Sequence, residues 1–253
     1  MALLAGKHAL VTGGGSGIGA AIARALAAEG ASLSLVGRRA APLEAMAKEL
    51  PKATAIVADI TSGTECAAMA KAAQAAHGPI DIVIANAGMA ASAPAAKIDA
   101  AHWQQMIGVN LTGAFNTVQA ALANVTRAPG GRIVFVASTA GLKGYPYVAA
   151  YVAAKHGVVG LMRALSVELA AKGTTVNAVC PGFTDTPLLA GAVDTIVSKT
   201  GRDAEASRAE LAKDNPHGRL ITPEEVAQTV LYLCAPSSGS VNGQAIAVTG
   251  GPV

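Results

Sequence analysis

Aromatic side chains are scarce in this chain. One Trp, four Tyr and three Phe make up 3% of its 253 residues. A core with so few rings must rely on Ala, Val, Leu and Ile, which suits tight packing of helices on a sheet. The scarcity also argues against a platform for stacking nucleic-acid bases. Because the 19 basic residues are scattered without a run, we predict no nucleic-acid partner.

Cysteine is rare as well. Cys66, Cys180 and Cys234 lie far apart, are odd in number and form no Cys-x-x-Cys pair. This usage is typical of buried, reduced thiols and predicts a cytoplasmic protein without disulfides. His156 and His217 have no acidic or metal-binding neighbours at ligand spacing. We therefore predict packing or interface roles for both histidines, and no metal site.

Long apolar runs are also missing. No stretch of 18 apolar residues free of charge reads as a membrane span, and the apolar run at residues 1–7 is too short for a signal peptide. We therefore predict no membrane partner. With 52% hydrophobic and 14% charged residues, the chain can bury one sizeable core.

A glycine-rich turn is the first recognisable pattern. Residues 8–12 read HALVT, typical of a buried strand, and GGGSGIG at residues 13–19 leads into a helical pattern at 20–29. Strand, glycine loop and helix form the context of a dinucleotide-binding turn, since glycines admit a pyrophosphate and the helix N-terminus offers free N–H groups. The glycine spacing differs from Gly-x-Gly-x-x-Gly, so a simple tight turn is the alternative.

Two arginines follow the second predicted strand, at residues 32–36. An NAD-binding Rossmann fold would place an acid here for the ribose 2′-hydroxyl. Arg38 and Arg39 stand there instead, and a guanidinium is the usual partner of a phosphate. We predict a preference for NADP(H) over NAD(H), with Arg38 as the better candidate for the 2′-phosphate. Two solvated arginines opening the next helix are the alternative.

Apolar strands alternate with helices along most of the chain. Further strands are predicted at residues 53–60, 80–85, 132–137, 175–180 and 244–249, with long helices at 99–124 and 148–171. This alternation is typical of a parallel sheet covered on both faces. We predict one α/β domain over residues 1–253, a Rossmann-like, doubly wound sheet of about seven strands.

The alternation stops between residues 183 and 217. A mixed helical insert of this length in a compact domain is often functional, and we predict a substrate lid there. Asp59, at the end of the third strand, has two open interpretations. It could accept a hydrogen bond from an adenine amino group or cap the helix that begins near Ser62.

Tyr151 and Lys155 form the most informative pair in the chain. Four residues apart on a helix, they share one face. A phenol titrates near pH ~10 in water, and a nearby ammonium would favour the phenolate and lower that pKa. The pair could therefore transfer protons, with the Ser138 hydroxyl holding a carbonyl oxygen. By itself Tyr-x-x-x-Lys is weak, and a packed tyrosine beside a solvated lysine is the alternative.

Together these residues resemble the short-chain dehydrogenase/reductase family over essentially the whole chain. The matching features are Thr12-Gly13-x-x-x-Gly17-x-Gly19, Asp59, Asn86-Ala87-Gly88, Asn110, Ser138, Tyr151-x-x-x-Lys155 and Pro181-Gly182. The resemblance implies a seven-stranded Rossmann-like sheet. It also implies an oxidoreductase that transfers hydride between a nicotinamide and a carbonyl or alcohol.

The resemblance also implies roles for individual residues. Tyr151 would exchange the proton with the substrate oxygen, Ser138 would hydrogen-bond that oxygen, and Lys155 would hold the nicotinamide ribose. Asn110 would hold a water that relays protons to Lys155. The predicted cofactor contacts are Thr12, Gly13, Gly15, Ser16, Gly17, Ile18, Gly19, Arg38, Arg39, Asp59, Ile60, Asn86, Gly88, Tyr151, Lys155, Pro181, Gly182, Thr184 and Thr186.

Two positions depart from the family pattern. Ala85 stands where the family often has the first Asn of Asn-Asn-Ala-Gly, and Ser16 where many NADP-binding relatives carry a basic residue. The predicted NADP preference therefore depends on Arg38 and Arg39 alone. Relatives usually form homotetramers or homodimers through the helices at 99–124 and 148–171.

The substrate is less determined than the chemistry. The sequence around Ser138, Lys155 and Cys180 is similar to bacterial β-ketoacyl and polyketide ketoreductases, and also to ketone reductases and hydroxybutyrate dehydrogenases. Lys143 could meet the phosphate of an acyl thioester, although a solvated loop lysine is the simpler interpretation. Candidates for an apolar pocket wall are Leu142, Tyr145, Tyr147, Phe183 and Leu188.

Three functions remain open at this stage. An NADP(H)-dependent oxidoreductase acting on a 3-oxoacyl thioester or β-keto compound is favoured, with a general small or aryl ketone reductase as its variant. A non-catalytic NADP-binding sensor is the second, although a binder needs no proton relay. An epimerase or dehydratase is the third, although it would usually have a larger C-terminal portion.

Overall fold

A seven-stranded parallel sheet runs through the middle of the protein. The computed structural model describes residues 2–253. The strands are β1 (His8–Thr12), β2 (Ser32–Gly37), β3 (Ala53–Val57), β4 (Ile82–Ala85), β5 (Arg132–Val136), β6 (Thr175–Pro181) and β7 (Ala245–Val248). Their order in the sheet is β3-β2-β1-β4-β5-β6-β7, and each pair is parallel. The predicted Rossmann-like fold is confirmed.

Helices cover both faces of this sheet. They are α1 (Gly17–Ala28), α2 (Ala40–Glu49), α3 (Gly63–His77), α4 (Ala100–Ile107), α5 (Gly113–Val125), α6 (Ala149–Leu169), α7 (Pro187–Thr200), α8 (Ala204–Lys213) and α9 (Pro223–Cys234). Residues of α1, α2 and α9 pack into one apolar cluster, and residues of α3, α5 and α6 into a second cluster on the other face. In β1, Leu10 points to the second cluster and Ala9 and Val11 to the first, as the period of two requires.

The strand order reverses between β1 and β4. In open α/β sheets, ligands bind outside the carboxyl ends of the strands at this reversal. Here those ends are Thr12 and Ala85. The Thr12 hydroxyl accepts hydrogen bonds from the backbone N–H groups of Asn86 (3.0 Å) and Ala87 (3.1 Å), which fixes the two ends together.

The predicted helix at residues 99–124 is wrong in one respect. Asp99 caps its start by accepting a hydrogen bond from the His102 N–H at 2.7 Å. A π turn over Gly108–Thr112 then separates α4 from α5. Such turns insert one residue into a helix and often occur at functional sites. The turn contains Asn110, one of the predicted catalytic residues.

Residues 183–217 contain the helices α7 and α8, which we call the α7–α8 hairpin. Thr186 caps α7 and Asp203 caps α8 through their side chains. Thr222 and Glu225 form a capping box at the start of α9. In residues 2–253 we find no helix long and apolar enough to span a bilayer.

Candidate active site

A cleft of about 830 Å³ opens at the carboxyl ends of the strands. Most of the predicted site residues lie on its wall. They are Gly13, Ser16, Gly17, Ile18, Gly19, Asn86, Gly88, Asn110, Ser138, Tyr151, Lys155, Pro181, Gly182, Thr184 and Thr186. The fold thus brings together residues from the ends of four strands and from the α7–α8 hairpin.

The glycine loop is shaped to admit a ligand beside its backbone. Gly13 has a φ of +68°, and a Cβ there would lie 2.7 Å from the Asn86 amide nitrogen. A Cβ on Gly19 would overlap the Gly13 carbonyl. Both glycines are therefore required for the close approach of β1, α1 and the Asn86 turn.

The residues of this loop fit a nicotinamide dinucleotide. Ser16 caps α1 but makes no side-chain capping bond, so the first N–H groups of α1 face the cleft with a free hydroxyl beside them. Gly17 has a φ of +52°, and a Cβ there would lie 3.4 Å from Thr186 on the hairpin. An anion at this place would meet the positive end of a helix dipole.

Asn110 is buried, and both its amide nitrogen and its Oδ1 form hydrogen bonds. Its amide donates to the carbonyl oxygens of Met89 (2.9 Å) and Met106 (3.0 Å), and its Oδ1 accepts from the Met89 N–H (3.1 Å). The π turn allows the side chain to reach the Met106 carbonyl, four residues earlier. Asn110 thus fixes the loop after β4, whose Gly88 would place a Cβ only 2.9 Å from Asn110 Oδ1.

Lys155 is buried, with 4% of its surface exposed. Its Nζ donates to the Val136 carbonyl oxygen at 2.9 Å, at the end of β5. Burial lowers the pKa of this ammonium from 10.5 to about 8. A lysine with this pKa exchanges its proton close to neutral pH.

The prediction that the pKa of Tyr151 is lowered is wrong. Burial raises the pKa of the Tyr151 phenol, the Ser138 hydroxyl partly offsets this, and the neighbouring Cys180 adds to the rise. Lys155 Nζ lies 5.7 Å from the centre of the Tyr151 ring and is engaged with Val136. Tyr151 therefore retains its proton at neutral pH, which suits a proton donor.

Ser138 stands two residues after the end of β5 and lines the cleft. Its Oγ accepts a hydrogen bond from the Ala140 N–H at 3.1 Å. The Ser138 hydroxyl also forms a hydrogen bond with the Tyr151 phenol, which favours the ionised phenol. All three cysteines are buried, as predicted, and Cys180 lies beneath this group, where burial raises the pKa of its thiol to about 11.

Six predicted cofactor contacts do not line the cleft. Thr12 is 1% exposed, and its hydroxyl accepts a hydrogen bond from the Asn86 N–H, so it positions the turn at Asn86. A Cβ on Gly15 would lie 3.1 Å from the Pro42 backbone, so this glycine packs against α2. Ile60 is buried against Gly113. Arg38, Arg39 and Asp59 complete the six.

Arg38 and Arg39 are exposed at the carboxyl end of β2. Asp59 accepts from the N–H and hydroxyl of Thr61 at 2.9 and 2.8 Å. These bonds lower the pKa of Asp59, and the Arg38 charge adds to the effect. The cap of α3 is Ser62, whose Oγ accepts from the Glu65 N–H. The capping alternative for Asp59 is therefore wrong.

The predicted apolar wall is confirmed in four of its five residues. Tyr145, Tyr147, Phe183 and Leu188 line the cleft, whereas Leu142 packs into the core beneath α6. The Tyr145 hydroxyl donates to Thr139 Oγ1 at 2.8 Å. Its ring stands edge-on to Phe183 with 6.0 Å between ring centres, so the wall beside Ser138 is rigid.

Lys143 does not reach the cleft. It is exposed, and its Nζ lies 5.3 Å from the centre of the Tyr145 ring. Tyr147 is 65% exposed and has a φ of +66°, which is uncommon for a residue with a side chain. His156 and His217 are exposed and lie off the cleft wall.

Sequence reasoning missed Asn215. This residue is 1% exposed. Its Oδ1 accepts from the Phe183 N–H (3.0 Å), and its amide donates to the carbonyl oxygens of Phe183 (2.9 Å) and Arg219 (2.7 Å). Asn215 thus joins the beginning and the end of the α7–α8 hairpin. Phe183 lies more than 30 residues before Asn215 in the chain, so no local sequence pattern predicts this contact.

The geometry agrees with comparisons to known proteins. Residues 7–197 match the family model described as short chain dehydrogenase. The chain belongs to this family. As a short-chain dehydrogenase it is 37% identical over 256 residues to a D-beta-hydroxybutyrate dehydrogenase of Cupriavidus necator, covering 98% of both proteins.

Two further relatives represent different substrates. A cis-4-hydroxycyclohexanecarboxylate dehydrogenase of Sinomonas cyclohexanicum is 38% identical over 250 residues, covering 97% of this chain and 96% of the relative. The crystal structure of a single-residue variant of actinorhodin polyketide ketoreductase with NADPH superposes with a TM-score of 0.92 and 37% identity, covering 97% and 96% of the two chains. This short-chain dehydrogenase is thus an oxidoreductase acting on hydroxyl or carbonyl groups and binding a nicotinamide cofactor.

Proposed function

We propose that this short-chain dehydrogenase transfers hydride between NADP(H) and a β-keto or β-hydroxy compound, with a 3-oxoacyl or 3-hydroxyacyl thioester as the favoured substrate. The observation that carries the proposal is that Ser138, Tyr151 and Lys155 line the same cleft as the glycine loop. A nicotinamide dinucleotide bound there supplies the hydride. The protein supplies orientation and the proton.

Each residue has a defined task in the reduction. Ser138 donates a hydrogen bond to the substrate carbonyl oxygen. Tyr151, protonated at neutral pH because burial raises its pKa, gives its proton to the same oxygen. Lys155 holds the ribose hydroxyls and exchanges a proton with solvent, as its pKa of about 8 allows. In the oxidation the same groups act in reverse.

Asn110 contributes through position. Its three hydrogen bonds to Met89 and Met106 fix the loop beside Lys155. Its two amide hydrogens are already donated, so its free capacity is a lone pair of Oδ1. We propose that this acceptor takes part in the water relay to Lys155.

The cofactor preference rests on charge. Arg38 and Arg39 are exposed beside Asp59, and a bound 2′-phosphate would give these guanidinium groups a bidentate partner. The actinorhodin ketoreductase has NADPH in its structure. We propose that NADPH is used in preference to NADH.

The test is absorbance-monitored NADPH oxidation with three substrates: S-acetoacetyl-N-acetylcysteamine, ethyl acetoacetate and an aryl ketone such as acetophenone. Efficient turnover of the thioester is the expected result. Turnover of the small ketones alone would establish the alternative, a general ketone reductase. That alternative is favoured by the largely apolar wall of the cleft and by the cyclohexane-based relative.

A non-catalytic NADP-binding protein would give a third pattern. It would bind NADPH in a fluorescence titration and turn over none of the three substrates. A protein that neither binds NADPH nor reduces any of them would contradict the proposal outright.

The α7–α8 hairpin is proposed to be the substrate lid, because it lines the cleft and meets the core through a few polar contacts. Helices α4 to α6 are proposed to pair in a homodimer or homotetramer. They carry three of the exposed large apolar side chains, Trp103 (43%), Phe115 (42%) and Val167 (80%). Light scattering of Val167→Glu would test this, and a variant of unchanged mass would contradict it.

A further inference from the structure

Three charged side chains line the cleft, Lys155, Lys199 and Asp214. Lys155 is buried at the catalytic end and is engaged with Val136. Lys199 and Asp214 are exposed, one near the end of α7 and the other directly after α8. Among the described residues neither forms an ion pair with a side chain of opposite charge. The cleft wall therefore carries an exposed cation and an exposed acceptor that form no ion pair among the described residues.

One face of α7 runs along the cleft and leads to this cation. We call it the α7 stripe; it consists of Leu188, Ala192, Ile196 and Lys199, all on the cleft wall. Their spacing of four, four and three residues keeps them on one helical face. The helix is capped by Thr186, which lies beside the glycine loop. Lys199 follows Leu188 by eleven residues, and at 1.5 Å per residue it lies roughly 16 Å further along the helix axis.

We propose that Lys199 binds the phosphate of a 4′-phosphopantetheine thioester substrate, with Asp214 accepting from an N–H or O–H group of the pantetheine arm. This inference rests on the proposed function and specifies its substrate. The arm contains about thirteen bonds from sulfur to phosphorus, roughly 15 Å when extended like a polypeptide. It has amide and hydroxyl donors and ends in an anion, which matches the stripe in length and in charge.

The assignment distinguishes between two lysines. Lys143, the other candidate for the phosphate, lies off the cleft wall beside Tyr145. Lys199 is on the wall and is free of a carboxylate partner. Because Lys199 is exposed, its contribution is that of a surface ion pair, about fivefold in affinity at most. It should also weaken as salt screens the charges.

The experiment compares two substrates that differ only in the phosphate, acetoacetyl-pantetheine and acetoacetyl-4′-phosphopantetheine. For the wild type we expect KM for the phosphorylated thioester to be about fivefold lower at low salt. Lys199→Ala should abolish the difference, Lys199→Glu should reverse it, and Lys199→Arg should retain it. The kcat for the neutral thioester should stay unchanged in all three, and Lys143→Ala is the matched control.

A binding measurement makes the result independent of turnover. Titration calorimetry of the NADP⁺-loaded protein with 4′-phosphopantetheine and with pantetheine should show the same phosphate preference and its loss in Lys199→Ala. Equal KM values for the two thioesters, or a loss in Lys143→Ala instead, would overturn the assignment of Lys199. If neither thioester is reduced while small ketones are, the proposed function itself fails.

Two sources could supply this phosphate, coenzyme A or the prosthetic group of an acyl carrier protein. Acetoacetyl-CoA and an acetoacetyl carrier protein serve as separate arms. A dependence on Lys199 in either arm supports the inference and identifies the source. Independence from Lys199 in both arms contradicts it.

Discussion

The floor of the cleft and the α7–α8 hairpin are built by different means. On the floor, Asn110 and Lys155 are buried and their polar groups are paired with backbone carbonyls. On the hairpin, Lys199 and the cleft-lining Leu188 are exposed. The two ends of the hairpin are joined by Asn215, and the ion pair of Arg208 with Asp185 links α8 to the segment before α7. This difference is the basis of our proposal that the floor carries the reaction and that the hairpin selects the substrate.

The largest effect should come from the floor. Replacing Tyr151 with Phe removes the proposed proton donor while retaining the ring. We expect kcat to fall about a thousandfold, within the usual range for general acid catalysis, with NADPH binding unchanged. Steady-state kinetics measure kcat, and a fluorescence titration measures NADPH binding. Retained turnover would refute the role of Tyr151.

The second effect concerns the stability of the floor. The pKa of Lys155 is lowered from 10.5 to about 8 in the folded protein. Between pH 8 and 10.5, Lys155 is therefore protonated in the unfolded chain and neutral in the folded protein. Because the unfolded state binds more protons in this range, the free energy of unfolding rises with pH. Below pH 8 the buried charge costs about 3 kcal/mol. Replacing Lys155 with Met removes this cost but also removes the hydrogen bond to the Val136 carbonyl oxygen, which lowers the stability gained by about 1 kcal/mol.

We therefore expect Lys155→Met to be inactive but about 2 kcal/mol more stable than the wild type at pH 7. The advantage should shrink between pH 8 and 10.5. Urea unfolding at several pH values measures it. A variant less stable than the wild type at pH 7 would show that the buried ammonium is better compensated than its surroundings indicate.

The third effect lies at the adenosine end. Arg38 is exposed, and its removal should lower kcat/KM for NADPH about tenfold. A tenfold change corresponds to about 1.4 kcal/mol, which is close to the net contribution of one charge-assisted hydrogen bond. The kcat/KM for NADH should stay constant, since NADH has no 2′-phosphate. Steady-state kinetics of Arg38→Ala with both cofactors decides this. Equal losses for both cofactors would contradict the phosphate contact.

The smallest of these effects concerns the hairpin. Asn215→Ala removes three hydrogen bonds to Phe183 and Arg219. We expect faster proteolysis between residues 183 and 219 and a several-fold rise in KM, with kcat nearly retained. Ser198→Ala, on the exposed side of α7, is the matched control. A loss confined to kcat would mean that the hairpin also positions the catalytic groups.

The order of the elements and most of the chemistry could be predicted from the sequence. The bounds of β1 match the prediction to the residue, because five mostly apolar residues before a glycine cluster leave few alternatives. The glycine loop and the Tyr151–Lys155 pair could be identified because their function depends on local spacing. Local spacing is recorded in the sequence through the helical period and the special conformations of glycine.

Features that depend on distant contacts became visible only in the folded chain. Asn110 acts through a π turn that no local signal marks, and Asn215 acts on a partner 32 residues away. Only the fold shows that Lys199 lines the cleft and Lys143 does not. The shift of the Tyr151 pKa is predicted with the wrong sign because burial, which the sequence does not reveal, raises it by more than the Ser138 hydrogen bond lowers it.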